Sequence, residues 1–269
     1  MVERTYAEQL ALAARATEPA IRAAMAALRL PAGSHGLDLG CGIGTHALWL
    51  AETTGGRVTG LDVNRDNLAT ARRRVAEAQL ADRIALDEGS LFDPPYADGT
   101  FDWLWCADTL WPVVVPDPVA VLERLRRLVR PGGTVALLYW SSQLLLPGYP
   151  QLEARLGLAF TEHTHYCRIG TPDAHHLRAL DWLQRAGLVE GRARTFVAEH
   201  QAPLSPALRE SLSFCFEMLY GELEPGLPAA DRSTLARLRR ADSPDCILDA
   251  PGYHAVVTYT LFDARHEPT

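Results

Sequence analysis

Asp38-Leu39-Gly40-Cys41-Gly42-Ile43-Gly44 follows a short apolar run, Gly36 to Leu39, and leads directly into a helical pattern over Thr45 to Thr54. Glycines at alternate positions let a backbone turn sharply and approach a ligand, and the helix N-terminus behind them offers N–H groups to a carboxylate or phosphate. Downstream, Asp62 ends the next apolar run, Arg57 to Leu61. A carboxylate there can accept both hydroxyl hydrogens of a ribose. Together these features describe a nucleoside site at the carboxyl ends of neighbouring strands. Outward from it the alternation continues, with a helix over Arg65 to Gln79 and strands near Arg83 to Leu86 and Phe101 to Cys106. A helix over Pro118 to Val129 follows, and Pro131-Gly132-Gly133 turns the chain into a strand over Thr134 to Trp140. Strands alternating with helices in this way predict a parallel α/β sheet.

The flanks read differently. Residues 5 to 30 are rich in Ala, Leu and Arg with helical periodicity, broken at Pro19 and ended by Leu30-Pro31-Ala32-Gly33. They predict two short helices, a segment 1–33 able to cover a pocket ahead of a main domain 34–269. After Trp140 the strict alternation stops, and residues 141–170 read as an insertion. Thr171 as N-cap and Pro172 at the first helical position open a helix that Gly187 closes, before a strand over Val189 to Glu199. A second long connection, 203–251, contains a helix started by Ser205 and Pro206 and followed by Gly221. Its Leu208, Leu212, Cys215, Phe216 and Leu219 recur at helical spacing. A β-rich segment, Tyr253 to Phe262, ends the chain's regular pattern. The two connections are expected to cap a shared site, because long ordered loops in compact domains are commonly functional, with core packing as the alternative. The exposed face of the helix over Leu208 to Leu219 could instead form a homodimer contact.

Composition narrows the chemistry. The 269 residues are 48% hydrophobic and 22% charged, as expected of a globular chain with a sizeable core. A net charge of −7 argues against a nucleic-acid partner, whose binding rests on clustered cations. All 26 basic residues are Arg, so Schiff-base chemistry, a P-loop Lys and a Lys general base are excluded. Cys41, Cys106, Cys167, Cys215 and Cys246 are odd in number and form no C-x-x-C pair, so reduced thiols are expected. No run approaches about 18 apolar residues, and Met1-Val2-Glu3-Arg4 leads into an amphipathic segment. The expectation is a cytoplasmic protein with no membrane partner.

At Asp38 to Gly44 the chain resembles the class I S-adenosylmethionine-dependent methyltransferases, whose first motif has the form acidic-x-Gly-x-Gly-x-Gly. A dinucleotide fingerprint would want Gly at position 45, where Thr45 stands. The resemblance extends over roughly residues 34 to 140, through Asp62, the adenine-side segment 89–102 and Pro131-Gly132-Gly133. It implies a Rossmann-like, mostly parallel seven-stranded sheet with helices on both faces and helical cap insertions. It also implies S-adenosylmethionine as cofactor and a small-molecule methyl acceptor. On this resemblance Asp38 holds the methionine end of the cofactor, Gly40, Cys41, Gly42 and Gly44 cradle it, and Asp62 takes the ribose. Val63, Ser90, Leu91 and Phe92 surround the adenine, and Cys106 is a small filler touching the cofactor. The family often has Asp where Ser90 stands, and a neutral hydroxyl is the weaker acceptor. Adenine recognition is therefore expected to lean on the Leu91 N–H and on apolar contact from Val63, Leu91 and Phe92.

The implied reaction is an in-line displacement that needs orientation and exclusion of water more than it needs a base. A base, if used, belongs near the end of the Phe101 to Cys106 strand. Asp108 is best placed for it, unless it caps a nearby helix, and Trp111 offers a flat wall to an acceptor. His163, His165 and Cys167 would share one face of a strand, but without a fourth ligand they predict no metal site. His163, His165, Tyr166 or His176 is expected to line the acceptor pocket, with His165 as a second catalytic candidate. His46 falls near the cofactor carboxylate or packs, and Tyr6 could close over the cofactor. The competing expectation is an NAD-dependent oxidoreductase using the same glycine loop, against which Thr45 and the absence of any Tyr-x-x-x-Lys count. A non-catalytic cofactor-binding relative is supported only by Ser90. The acceptor atom, oxygen, nitrogen, carbon or sulfur, is left open.

Overall fold

A computed structural model of the chain describes residues 4–111, 113–163, 171–221, 223 and 227–267. Helix α1 (Tyr6–Leu28) precedes β1 (His35–Leu39), α2 (Thr45–Thr54), β2 (Arg57–Asp62), α3 (Arg65–Glu77), β3 (Ile84–Glu88) and β4 (Phe101–Ala107). Then come α4 (Pro118–Leu128), β5 (Val129–Leu144), α5 (Pro150–His163), α6 (Ala179–Arg185) and β6 (Leu188–Gln201). The chain ends with α7 (Pro206–Tyr220), α8 (Ala229–Arg239) and β7 (His254–His266). The strands form one sheet in the order β3-β2-β1-β4-β5-β7-β6. β7 alone runs antiparallel, inserted between β5 and β6. The order reverses between β1 and β4, which opens a crevice at their carboxyl ends where α/β sheets bind ligands.

The predicted α/β sheet therefore forms, with a hydrophobic core on each face. One core joins α1, α2, α5, α7 and α8 to Trp103, Trp105, Leu138 and Leu261. The other joins α4 and α6 to Leu104, Cys106, Leu137 and Phe262. The apolar stripe of α7 belongs to the first, with Leu212, Cys215, Phe216 and Leu219 buried. The Pro131-Gly132-Gly133 turn is absorbed into β5 as an irregularity of the β4–β5 register, with Gly132 at φ +78°.

Three local expectations are corrected. The two short N-terminal helices are one helix, α1, running through Pro19. Its start is fixed by a capping box in which Thr5 and Glu8 satisfy each other's backbone N–H. The helix predicted from Thr171 is divided, because His175 adopts an extended conformation. Two 3₁₀ turns, Pro172–Ala174 and His176–Arg178, precede α6. His163 is the last residue of α5 and not part of a strand, and its Nδ1 meets the Ala159 carbonyl at 2.9 Å. His165, Tyr166 and Cys167 lie outside the described residues.

Candidate active site

The glycine loop is folded by its own backbone. Gly40 and Cys41 donate to the Leu61 carbonyl at 2.8 and 3.1 Å, Gly44 donates to the Cys41 carbonyl at 2.9 Å, and Gly42 donates to Asp62 Oδ2 at 2.8 Å. These N–H groups are thus committed within the loop. Gly40 has φ +74°, and a Cβ there would lie 2.3 Å from Thr109 Oγ1, so both conformation and space require glycine. Arg74 of α3 reaches the loop as well, donating to the Ile43 carbonyl at 3.0 Å and to Thr45 Oγ1 at 2.6 Å.

Asp62 accepts a second N–H, from Asn64 at 2.8 Å, through Oδ1. Each carboxylate oxygen has two lone pairs, so both retain one for an incoming hydroxyl. Asp38 is 1% exposed and accepts from the Ala47 N–H in the first turn of α2. Its Oδ2 is buried with no hydrogen-bond partner among the described residues. Burial first, and the Asp62 charge second, push its carboxyl up to about 8. An orphaned carboxylate oxygen beside a glycine cradle fits the ammonium of an amino acid, whose positive charge and donors would satisfy it. The residues present therefore fit the methionine and ribose parts of S-adenosylmethionine.

On the adenine side, Val63 is 67% exposed and Phe92 42% exposed, while Leu91 is half-buried. Ser90 Oγ accepts from the Phe92 N–H at 3.2 Å, so its hydroxyl also closes a local turn. The Cys106 side chain is buried in the core cluster that includes α4, with the thiol pushed up by burial.

At the end of β4, Asp108 adopts φ +47°, a left-handed conformation that Asp tolerates better than most residues. It caps no helix; α4 is capped by Asp117. Asp108 Oδ1 accepts from the Trp140 N–H at 2.9 Å, where the β5–β7 register shifts, and the Tyr259 hydroxyl donates to the same carboxylate. Burial raises the Asp108 carboxyl to about 6 against these two donors. Tyr259 also shares a hydrogen bond with Thr17 of α1. Trp111 is fixed edge-on against Tyr139 and His176, with centroids 5.4 and 4.9 Å apart. His175 and His176 stack at 4.4 Å, and burial depresses His176 to about 4. Among the described residues no group of three or more metal-ligating side chains forms. His46 Nδ1 accepts from the Trp105 indole at 3.4 Å, and burial depresses the imidazole to about 4.

Arg74, Thr109 and Tyr259 were not singled out by the sequence. Thr109 adjoins Asp108 and follows from placing β4 over the glycine loop. Arg74 and Tyr259 carry no local signal, since only the packing of α3 and the register of β7 bring them in. Two surface cavities, of about 440 and 590 Å³, lie against the start of α7 and between α7 and α8. Neither is lined by Asp38, Gly42, Asp62 or Asp108. No helix among the described residues is long and apolar enough to cross a membrane.

Known proteins share this arrangement. Residues 37–133 match the family described as a methyltransferase domain. Methyltransferase GfsG of Streptomyces halstedii is 40% identical over 110 residues, covering 41% of this chain and 39% of that protein. The 27-O-demethylrifamycin SV methyltransferase of Amycolatopsis mediterranei is 34% identical over 127 residues, 47% of this chain and 45% of that one. The chain thus spans less than half the length of these relatives. Geranyl diphosphate C-methyltransferase from Streptomyces coelicolor, solved with S-adenosyl-L-homocysteine, shares the fold at TM-score 0.51 and 18% identity, over 94% of this chain and 78% of that one. The segment that carries the glycine loop, Asp62 and the turn into β5 is thus similar in sequence to methyltransferases, and the chain as a whole shares their fold.

Proposed function

We propose that the protein transfers a methyl group from S-adenosylmethionine to a hydroxyl of a small organic acceptor. The observation that carries this is the buried, unpartnered Asp38 Oδ2 beside a glycine loop tied to Asp62. In this assignment Asp38 takes the cofactor's ammonium, Asp62 its ribose hydroxyls, and Gly40, Cys41, Gly42 and Gly44 the methionine moiety at backbone distance. Val63, Ser90, Leu91 and Phe92 border the adenine. The Thr45 side chain, held by Arg74, stands where a dinucleotide loop would need glycine, which disfavours the oxidoreductase.

When bound, the sulfonium supplies a methyl group already activated toward a nucleophile. The protein's part is to hold the acceptor oxygen in line and keep water out, a contribution of up to about 7–11 kcal/mol in well-oriented systems. Asp108, at the carboxyl end of β4 and raised toward neutrality, is the group assigned to accept the hydroxyl proton as the new C–O bond forms. Tyr259 and the Trp140 N–H position it. Trp111, with His176 behind it, forms a rigid aromatic wall at the same end of the sheet. A hydroxyl acceptor is favoured over nitrogen or carbon by this carboxylate and by the O-methylation named for the rifamycin relative. The α5 and α7–α8 connections are assigned to the acceptor side, and His163 with them. Cytoplasmic location and a free small-molecule partner belong to this same proposal. Calorimetry with S-adenosylhomocysteine tests it. Binding in the micromolar range by the wild-type protein, weakened in Asp62→Ala, is expected; no heat at millimolar ligand overturns the assignment.

A further inference from the structure

Helix α3 is tied to the glycine loop at two places on one face. Ala71 packs beneath Gly44, where a Cβ on the glycine would lie 3.1 Å from the alanine methyl. One turn on, Arg74 Nη1 donates to the Ile43 carbonyl at 3.0 Å and to Thr45 Oγ1 at 2.6 Å. Helical side chains lean toward the N-terminus, which carries this guanidinium back to the loop. The contact is not a surface ion pair. Arg74 is half-buried and forms no ion pair among the described residues, and the opposing charge that acts on it, Glu77, is held by Arg73 at 4.0 Å. Burial pushes the guanidinium down from its ordinary value. Desolvating a charge is unfavourable, and the two hydrogen bonds that offset it both end on the loop.

What Arg74 holds is the exit of that loop. Its entry is fixed by the sheet, since Gly40 and Cys41 donate to the Leu61 carbonyl and Gly42 donates to Asp62. Past Gly42 the loop bonds to itself, Gly44 to the Cys41 carbonyl, and α2 opens at Gly44, which has no side chain to cap it. Arg74 supplies a tie there, on the residue before the cap and the residue after it. The first turn of α2 then carries the Ala47 N–H that holds one oxygen of Asp38, leaving Oδ2 without a partner among the described residues. The ribose acid has separate support, because Asp62 accepts from Asn64, the residue that caps the start of α3. Different parts of α3 thus brace the two halves of the site.

We infer that Arg74 is a positioning residue for the methionine half of the cofactor site, setting through Ile43 and Thr45 the direction in which α2 leaves the loop and so the aim of Asp38. This rests on the cofactor assignment above and adds to it a residue that touches no ligand. Alignment before binding removes an ordering cost from association, and here it does so for the amino-acid end alone.

Calorimetry with two probes tests this: S-adenosylhomocysteine, which fills both halves, and 5′-methylthioadenosine, which lacks the amino-acid end. Arg74→Met keeps the alkyl stem and removes the guanidinium. It should weaken S-adenosylhomocysteine about tenfold and leave 5′-methylthioadenosine within about twofold of wild type. Arg74→Lys, whose ammonium has donors for the same two acceptors, should recover most of the loss. Thr45→Val removes one acceptor and should weaken S-adenosylhomocysteine about threefold, and in Arg74→Met/Thr45→Val the two losses should not add. In the free protein the Gly44 and Leu48 amides should exchange about tenfold faster in Arg74→Met, while the Gly42 amide, held by Asp62, keeps its wild-type rate. Equal weakening of both probes, or faster exchange spread evenly over the loop and α3, means a merely structural arginine and overturns the inference. Unchanged affinity for S-adenosylhomocysteine does the same. Should Arg74→Met fail to fold, Thr45→Val, with α3 intact, decides by the same ratio of affinities. Absence of any heat with S-adenosylhomocysteine in the wild-type protein overturns the cofactor assignment and this inference with it, an outcome distinct from the others, which all require a wild type that binds.

Discussion

Asp38 and Asp108 end adjacent strands on either side of the reversal in strand order, and burial raises both carboxyls. Their partners differ. Asp108 is answered by the Trp140 N–H and the Tyr259 hydroxyl, while Asp38 has the Ala47 N–H on one side and, among the described residues, nothing on the other. An unsatisfied buried carboxylate oxygen is costly and persists where a ligand completes it. A satisfied one is held in place for a task that does not change its contacts. In the proposed function the cofactor corner is thus built incomplete, and the acceptor corner is built rigid.

The largest expected effect falls on Asp108. With any acceptor that the wild-type protein methylates, Asp108→Asn should lower kcat by about 10²–10⁴, the usual contribution of a positioned base. Affinity for S-adenosylhomocysteine should stay near the wild-type value, because Asn can still accept from Trp140. Loss of ligand affinity with turnover intact would reverse the roles assigned to the two carboxylates.

Asp38→Asn should act on binding instead. Losing a charge-assisted contact to the ammonium is expected to weaken the cofactor about 100-fold, or about 2.7 kcal/mol, by calorimetry. Without ligand the same variant should be the more stable protein in alkaline urea titrations. The sign follows from the raised carboxyl: below the unfolded value of 3.8 both states hold the proton, and as pH rises toward about 8 only the unfolded chain releases it freely. Wild-type stability therefore falls across that window, and the advantage of Asn grows with pH. A variant less stable than wild type at pH 8 would show that Asp38 is structurally answered after all.

Tyr259→Phe probes the rigid corner with a smaller change. Removing the hydroxyl takes away one of two donors that hold the Asp108 carboxyl down, so its titration should move above about 6 in a carboxyl-carbon NMR experiment. Stability should fall by about 1 kcal/mol for the lost buried hydrogen bond. A downward shift would mean that the phenol is not Asp108's donor.

The two corners were also unequally legible. Asp38, the alternating glycines and Asp62 are local in sequence, and their meaning follows from one strand, one turn and one helix. The acceptor corner depends on β7, whose antiparallel insertion beside β5 brings Tyr259 to Asp108 across 151 positions. The same limit explains α1. Proline argued for two helices, but Ser211 and His200 satisfy backbone groups of the single helix at Leu12 and Ala16 from far along the chain. His163 reads as one face of a strand only if α5 is unknown; once the helix is formed, its ring closes on the Ala159 carbonyl. Tertiary partners override local signals at the first two places and a local helix does so at the third, and each lies outside the β1–β4 segment.

The smallest test uses histidines attached to each corner. His46 beside the glycine loop and His176 beside Trp111 are both depressed to about 4 by burial. Each is neutral when folded, so each contributes stability that is present above 6.5 and lost as pH falls toward 4. Yet their contacts differ, since His46 Nδ1 accepts from the Trp105 indole and His176 Nε2 is buried without a partner among the described residues. Replacing His176 by Phe removes an unanswered polar atom and a group that must be kept uncharged. It should raise the midpoint of urea unfolding at pH 5 slightly, by about 1 kcal/mol or less. His46→Phe leaves the Trp105 N–H without its acceptor and should lower stability by about 1 kcal/mol at pH 7. Equal and same-signed effects would mean that burial alone, and not hydrogen-bond completion, sets what each of these two histidines costs the fold.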